Sequence, residues 1–551
     1  MRKNNGFRLS ASHIAAVRRP RRLVVNHQVD GLLKAVDAGM SLGEIVAYEF
    51  AFADEPNSHI DAQWWSLDNT FPLNGWDLID ASSPSVPEYI SAARVKTFSR
   101  WAAADIDIAR VYTRETKKRG LECFYSYRLN QTPYTEFEEL ARAHPEWLLK
   151  GEWDQPIWDF TLAPVRDLKI GVLQTLARDY DFDGIEIDFA RGTILAAPGQ
   201  QWAQRAHISD FLRQVRRATL DVAERRGRPF LLAARVPDNL PGCRFDGLDI
   251  DQWIVENLVD ILVLGVRSLE LKIEQFRHLI DSKPIQIFAT LDDHHCSDGY
   301  SWPPIEVWRG LAASWWQQGV DAIQTFNWGV APPALAARFG LRFRGAYEEG
   351  GRQIPLYQQA YHELGTPQKL RYLDKHFVVQ RRGGGGSGGA PVELWTTPRF
   401  NYQNTNMLAQ LPLSLDPTGA ADALIRLRVG DDLEAQAPRL EKLTLRLLLS
   451  DPAAQHLPAA QKVEPVSINP FWDRDQLYTA PPCRNLAGQL EVRLNNILLS
   501  ACIIEAGWFV FAVDPLVPAV GENLVGVRLP DRNPHATPAT VEKIELHANY
   551  R

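Results

Sequence analysis

Two acidic residues on one short stretch have the type and spacing for acid/base chemistry. The stretch from Tyr180 to Arg191 reads YDFDGIEIDFAR, and in it Glu186 and Asp188 alternate with branched or aromatic apolar residues. A period of two is typical of a strand, so both carboxylates share one face, with their Cα atoms roughly 6.5 to 7 Å apart. Two acids that close favour keeping one proton near neutral pH. The pair therefore predicts carboxylate catalysis; an ion pair with Arg191 or Arg235 is the structural alternative.

Further polar and aromatic residues end or follow the neighbouring predicted strands. In a parallel barrel such residues collect at one mouth, where barrel enzymes carry out their chemistry. Asp292 and Asp293 are expected as further catalytic acids, either of which could pair with Glu186 in place of Asp188. Residues with side chains suited to hydrogen bonding or stacking on a sugar are expected to bind substrate: His27, Asp30, Arg128, Asn130, Arg191, Arg235, His294, Asn327, Trp328, Trp64, Trp65 and Trp302.

A metal site is the alternative interpretation of the run from Asp292 to His295. Aspartate and histidine are good ligands, and His27 could join them. However, neighbouring residues point in different directions, and the chain has no HExxH motif. We therefore expect neither a metal nor another cofactor. The arginines could equally form supporting ion pairs, and the tryptophans could pack in the core.

The elements that position these residues alternate between strand and helix patterns. This order predicts βα units and a parallel sheet, and about eight units before residue 345 predict a closed (β/α)8 barrel. A long loop is expected from Ala53 to about Pro87. The predicted strands are Leu23–His27, Gly43–Phe52, Leu121–Arg128, the stretch around Glu186, Phe230–Val236, Asp260–Leu264, Pro284–Thr290 and Asp321–Phe326.

The character of the chain changes after a run of glycine and serine. We expect an N-terminal extension at 1–20, the barrel at 21–380, a flexible linker at 381–391 and a β-sandwich at 392–551. Strand-like alternation in the last part occurs at Leu443–Leu449, Gln489–Leu494, Trp508–Val513 and Val541–Ala548.

Composition excludes several classes of protein. The net charge of −7 disfavours a nucleic-acid binder, because no basic excess is present to neutralise phosphates. The five cysteines form no CxxC pair, so neither a zinc knuckle nor a disulfide framework is expected. No apolar run predicts a membrane span or a signal peptide. A cytoplasmic protein is expected, or a secreted or periplasmic one if an export signal has been removed.

Several segments together resemble the family 10 glycosyl hydrolase-like barrel proteins. The matching stretches are RRLVVNHQVDG from Arg21, GLECFYSYRLN from Gly120, HPEWLL from His144, YDFDGIEIDFAR, AARVPDN from Ala233 and VDILVLG from Val259. The resemblance covers about residues 20 to 345 and implies a barrel that acts on carbohydrate, followed by a β-sandwich. It places Glu186 and Asp188 in the site. The late glutamate of true family 10 enzymes is not evident, and Asp292 and Asp293 stand near its place.

These features predict a glycoside hydrolase acting on a poly- or oligosaccharide, with Glu186 as general acid/base. A barrel that binds carbohydrate without catalysis is one alternative, because fold does not determine function. A metal-dependent hydrolase is the other.

Overall fold

The computed structural model describes most of both predicted domains. The described residues are 6–28, 30–67, 92–130, 136–150, 157–190, 194–265, 268–292, 300, 303–326, 328, 333–339, 348–349, 352–353, 356–381, 409–451, 486, 488–500, 502–505, 507–530, 535 and 537–551. Among them, no helix is both long and apolar enough to cross a membrane.

Eight parallel strands close into a barrel in chain order, which confirms the predicted (β/α)8 fold. Closure is made by β1 and β8, which pair from Leu23 with Ile323 to Asn26 with Phe326. The strands are β1 (Leu23–Gln28), β2 (Ile60–Ser66), β3 (Glu122–Arg128), β4 (Gly184–Asp188), β5 (Leu231–Val236), β6 (Ile261–Leu264), β7 (Gln286–Asp292) and β8 (Ala322–Phe326).

Helices accompany the barrel strands. They are α1 (Ala11–Val17), α2 (Asp30–Asp37), α3 (Leu42–Glu49), α4 (Ala92–Ala103), α5 (Ile108–Lys118), α6 (Glu136–Ala143), α7 (Ala163–Asp179), α8 (Arg205–Arg226), α9 (Leu240–Phe245), α10 (Ile250–Val255), α11 (Ile273–Ile280), α12 (Ile305–Gln317), α13 (Pro333–Arg338), α14 (Leu356–Glu363) and α15 (Pro367–Leu370). A short hairpin of β9 (Glu348–Glu349) and β10 (Arg352–Gln353) lies between α13 and α14.

The predicted second strand is wrong, and so is part of the predicted long loop. Residues 42–49 form α3, because Ser41 and Glu44 make a capping box that starts a helix there. The true second strand, β2, contains Trp64 and Trp65, two residues that fall within the predicted loop. Trp64 faces into the barrel and stacks on Phe124 with ring centroids 4.5 Å apart. Trp65 faces outward and donates its indole N–H to the Thr116 hydroxyl at 2.9 Å. Both tryptophans are fully buried in packed cores and are not open platforms for a sugar.

The N-terminal helix α1 closes the floor of the barrel. Val17 belongs to the apolar cluster that fills the lower interior. Just after the helix, buried Arg21 donates to both oxygens of Glu122 at 2.7 Å and to Gln286 Oε1 at 2.8 Å. The segment predicted as an extension, residues 1–20, is therefore packed against the barrel in its described part.

A second buried ion pair lies at the start of β6. Asp260 accepts two hydrogen bonds from Arg216 at 2.7 Å, and His13 of α1 lies 2.9 Å away. Burial acts to raise the pKa of Asp260, but Arg216 and His13 hold that pKa well below its usual range. This end of the barrel is therefore built for stability.

The C-terminal part is a β-sandwich of two antiparallel sheets, as predicted. One sheet has the order β11-β20-β14-β18-β17 with β12 beside β20, and the other has the order β13-β19-β15-β16. A short helix α16 (Leu433–Gln436) follows β13. The strands are β11 (Lys375–Val378), β12 (Leu413–Ser414), β13 (Ala423–Val429), β14 (Leu440–Ser450), β15 (Glu491–Leu494), β16 (Ile497–Leu498), β17 (Cys502–Glu505), β18 (Trp508–Ala512), β19 (Gly521–Arg528) and β20 (Thr540–Tyr550). β11 belongs to the sandwich although it precedes the predicted boundary at 380.

The barrel and the β-sandwich are in contact at Gly310 on α12. A Cβ atom at Gly310 would clash with the backbone carbonyl of His376 on β11. Glycine at this position therefore lets the helix and the strand approach more closely than a side chain would allow.

Replacing Gly310 with alanine should lower the free energy of unfolding by about 1–3 kcal/mol, because backbone on both sides must shift. The matched control is Gly171→Ala on α7, where a Cβ meets nothing within 4 Å. That control should gain about 0.5–1 kcal/mol from helix propensity. Urea denaturation of the two variants checks this, and equal stabilities would contradict the tight contact.

Candidate active site

Glu186 and Asp188 both lie on β4 inside the barrel, as their alternation predicts. The apolar Ile185 and Ile187 belong to the cluster that packs outside the barrel strands. Gly184 begins the strand, where a Cβ would clash with the Phe124 ring and the Leu231 carbonyl. The glycine therefore leaves room for the ring stack of Phe124 and Trp64 beneath the two acids.

The carboxylate of Glu186 is fully buried and accepts hydrogen bonds on both oxygens. Oε2 accepts from Asn26 Nδ2 at 2.7 Å and from the Ser126 hydroxyl at 2.5 Å. Oε1 accepts from Arg235 at 3.1–3.2 Å and from Gln324 Nε2 at 3.2 Å. A carboxylate has room for about four such bonds. Glu186 is therefore the centre of a saturated polar layer across the barrel.

Arg235 connects this layer to the far side of the barrel. Its Nη2 donates to Gln324 Oε1 at 2.6 Å, and the Thr290 hydroxyl reaches the same oxygen at 3.5 Å. Arg235 is fully buried, so the Glu186 carboxylate is needed to balance the charge of its guanidinium group.

Asp188 lies two residues after Glu186 on the same face of β4, which brings it closer to the mouth of the barrel. It is the last residue of β4, and in register it stands between Arg128 on β3 and Arg235 on β5. Its Oδ1 accepts the backbone N–H of Ala190 at 3.0 Å, and its Oδ2 lies 3.9 Å from Arg235 Nη1. Asp188 thus accepts a backbone N–H, lies near the Arg235 guanidinium, and has Arg128 as its register neighbour on β3.

The side chain of Phe326, the last residue of β8, packs against both arginines. The guanidinium carbon of Arg235 lies 4.2 Å from the ring centroid, and that of Arg128 lies 5.9 Å away. Cations over an aromatic face are stabilised by the ring quadrupole. This packing helps to hold the Arg235 guanidinium near Asp188 and brings the Arg128 guanidinium to the same ring.

His27 faces away from the site, because its neighbour Asn26 takes the inward position on β1. His27 Nε2 lies 3.2 Å from Glu49 Oε2 on α3, and its ring meets the edge of Trp65 at 5.9 Å. Burial and the Glu49 carboxylate raise the pKa of Tyr48 and of Tyr112. His27 therefore belongs to a buried cluster between the strands and α3, and the structure does not bring it to Asp188.

Asn130 and Trp328, two other residues predicted to bind substrate, make contacts that hold the fold together. Asn130 bonds to the backbone of Trp158 and to the Ile194 carbonyl, and so ties together the chain segments after β3 and β4. Trp328 packs on Trp308 at 5.0 Å and on Tyr361 at 6.0 Å, and it is fully buried. Neither residue is available as an open sugar contact.

The remaining predicted residues lie outside what the structure describes. This holds for Asp293, His294, Arg191, Asn327 and Trp302, and for the side chains of Asp30 and Asp292. Their roles stay predictions.

Sequence reasoning named Arg235 as a possible partner of the two acids but missed the other partners of Glu186. Asn26, Ser126 and Gln324 all share its inward face, as does Phe326 nearer the mouth. The alternation of side chains along a strand could have revealed them. Each of these residues lies an even number of positions from another inward-facing residue of the same strand.

One group of three described residues has the donor atoms for a metal: His376, Glu545 and His547, whose ligand atoms lie within 4.8 Å of one another. Arg446 donates towards His547 Nδ1 at 3.4 Å, which leaves Nε2 to donate to Glu545 at 2.7 Å. The ring of His547 then has no lone pair to offer, and the Arg446 charge repels a cation. These residues fit a hydrogen-bonded chain better than a metal site.

The same group predicts acid sensitivity of the domain junction. Burial lowers the pKa of His376 to about 3, with the neighbouring His547 acting in the same direction. The unfolded chain takes up a proton below about pH 6.5 and the folded chain does not, so stability falls as the pH drops through this window. Between pH 7 and 5 the loss should be about 1–2 kcal/mol.

Urea denaturation at pH 7 and pH 5 checks this prediction. His376→Gln should remove most of the difference, and His278→Gln, at an exposed position on α11, should leave it. The Glu545 carboxyl, whose pKa is also lowered, contributes only below about pH 4.5 and does not interfere. An unchanged pH dependence in His376→Gln would contradict the assignment.

No family model and no curated protein sequence matches the chain, so the resemblance to family 10 rests on the sequence motifs alone. Solved structures similar to this chain include glycoside hydrolases. An α-amylase from Geobacillus thermoleovorans is 11% identical over 92% of this chain and 98% of its own, with a TM-score of 0.35. A GH36 α-galactosidase from Geobacillus stearothermophilus is 11% identical over 96% and 56%, with a TM-score of 0.30. A family 18 N-acetylglucosaminidase from Paenibacillus barengoltzii is 12% identical over 49% and 68%, with a TM-score of 0.26.

Proposed function

We propose that this protein is a glycoside hydrolase that cleaves a poly- or oligosaccharide by carboxylate catalysis at the mouth of the barrel. The observation that carries the proposal is the position of Asp188. It ends β4 inside a closed barrel, beside Arg128 and Arg235 and directly above the Glu186 layer. Barrel enzymes place their chemistry at this end of the strands.

Glycoside hydrolysis needs one carboxylic acid to protonate the leaving oxygen and a second carboxylate as base or nucleophile. Asp188 lies at the C-terminal end of β4, so we assign it to the reacting bond. Glu186 and an acid at 292–293 are the candidates for its partner. Four residues donate hydrogen bonds to Glu186, and these bonds favour a role for Glu186 in holding Arg235 in place.

The buried guanidinium groups of Arg128 and Arg235 can hold the Asp188 carboxylate in one orientation toward a bound sugar. Each presents a rigid fork of donors and is already fixed against Phe326. Orientation of this kind lowers the entropic part of the barrier.

A carbohydrate-binding barrel without catalysis is the second candidate. The saturation of Glu186 favours it, because a carboxylate bonded on both oxygens has a structural role that needs no reaction. A metal-dependent hydrolase would draw on Asp292, Asp293 and His294, and it is distinguished by its response to a chelator.

A reducing-end assay on a broad glycan panel, with and without EDTA, tests the proposal. Release of new reducing ends by the wild-type protein, insensitive to EDTA, is the expected result. Loss of release with EDTA would favour the metal-dependent hydrolase. No release from any glycan, together with calorimetric binding, would favour the binding protein.

A further inference from the structure

A cavity of about 390 Å³ lies between the barrel and the β-sandwich. The barrel contributes the segment after β6 together with α11 and α12, and the sandwich contributes β11, β13 and β19. Its volume is in the range of small-molecule binding sites, about 300–1,000 Å³. The segment after β6 lies on the same side of the barrel as the mouth.

Glu270 and Lys272, at one wall of the cavity, can each form a further hydrogen bond with a ligand. Glu270 Oε1 accepts the backbone N–H of Gln380 at 2.9 Å and the Gln410 amide at 3.4 Å. Glu270 Oε2 lies 3.7 Å from the Lys272 ammonium, which is longer than a hydrogen bond. An acceptor and a donor therefore stand side by side, with room for a hydroxyl group to bridge them.

The cavity carries no excess of either charge. Three acids and three basic residues line it, and two opposite pairs are already joined. Arg428 of β13 contacts both oxygens of Glu274 on α11 at 3.0 Å, and Arg426 lies 3.3 Å from Glu522. A balanced lining favours a neutral ligand over an anion or a cation, because a ligand charge would be left without a partner.

The lining also includes apolar surface beside the polar groups. Leu271, Leu311 and Val378 contribute to the cavity. A sugar ring has an apolar face of C–H groups and a rim of hydroxyls, and it matches both kinds of wall.

We propose that this cavity is a second carbohydrate site, which binds a neutral oligosaccharide jointly through the barrel and the sandwich. The inference rests on the proposed function for the class of ligand. Glu270, Lys272 and the amide of Gln275 bind the hydroxyls, and the Arg428–Glu274 pair holds the two domains together around the ligand.

Calorimetry with five-unit neutral oligosaccharides of glucose, galactose and N-acetylglucosamine tests the site, in an Asp188→Asn background so that hydrolysis is slow during the titration. Gln275→Trp places a large side chain in the cavity from an exposed position on α11. The matched control is Gln359→Trp, exposed on α14 and outside the cavity lining. We expect Gln275→Trp to weaken one binding event at least tenfold, Lys272→Met to weaken it about fivefold, and the control to leave it unchanged.

The result that overturns the site is glycan binding that Gln275→Trp leaves intact, or no binding of any neutral oligosaccharide. Failure of the proposed function looks different. In that case the wild-type protein releases no reducing ends, while the binding event sensitive to Gln275→Trp persists. Conversely, hydrolysis by the wild type with binding insensitive to Gln275→Trp keeps the enzyme and removes the second site.

Discussion

Replacing Asp188 by asparagine is expected to lower kcat/KM for glycan hydrolysis about 100- to 10,000-fold. Asparagine retains the oxygen that accepts the Ala190 N–H at 3.0 Å, so the strand end keeps its geometry. It loses the charge and the proton that the reaction needs. Arg235 keeps its contact with Glu186, but the buried arginines lose the Asp188 charge, so the variant should also be less stable and its turnover is compared per folded molecule.

The matched control is Asp260→Asn, the same exchange at a fully buried position at the opposite end of the barrel. It leaves the Arg216 guanidinium without its partner and should cost about 3–5 kcal/mol of stability. Its turnover per folded molecule should nevertheless equal that of the wild type. Undiminished hydrolysis by Asp188→Asn would remove Asp188 from the reaction.

Replacing Glu186 by glutamine is expected to lower the free energy of unfolding by about 3 kcal/mol, at the lower end of the range for breaking a buried ion pair. The charge of buried Arg235 loses its closest partner, and Asp188, 3.9 Å away, offsets only part of the loss. The glutamine can still accept from Asn26 and Ser126, but its amide group then meets the donors of Arg235 and Gln324.

A double-mutant cycle with Arg235→Met separates stability from chemistry. If Glu186 mainly holds Arg235, the double variant should regain about 1–3 kcal/mol relative to the sum of the single variants. Urea denaturation gives the coupling, and a reducing-end assay on the folded single variant gives the chemistry. A Glu186→Gln protein that is as stable as the wild type and inactive would instead make Glu186 a reacting group.

The strand that carries Glu186 and Asp188 was predictable because the alternation of apolar and acidic residues can be seen within a few neighbouring positions. Two partners of Glu186, Asn26 and Gln324, could not be found in that way, because they lie 160 and 138 residues away along the chain. Barrel closure alone brings them together.

The errors of the sequence interpretation also have physical causes. The prediction that His27 lies at the mouth is wrong, because adjacent residues of a strand face opposite sides and Asn26 takes the inward position. The apolar run at 43–52 resembles a buried strand, which explains the wrong prediction. The capping box formed by Ser41 and Glu44 indicates that a helix begins there instead.

The closed floor of the barrel has a consequence for synthesis on the ribosome. Arg21 bonds to Gln286, 265 residues further along the chain, and His13 contacts Asp260, 247 residues away. Helix α1 therefore cannot complete its native contacts until most of the barrel has been translated. Contacts this distant in sequence slow folding and expose apolar surface meanwhile. We therefore expect the nascent chain to depend on chaperones until β8 has emerged and paired with β1.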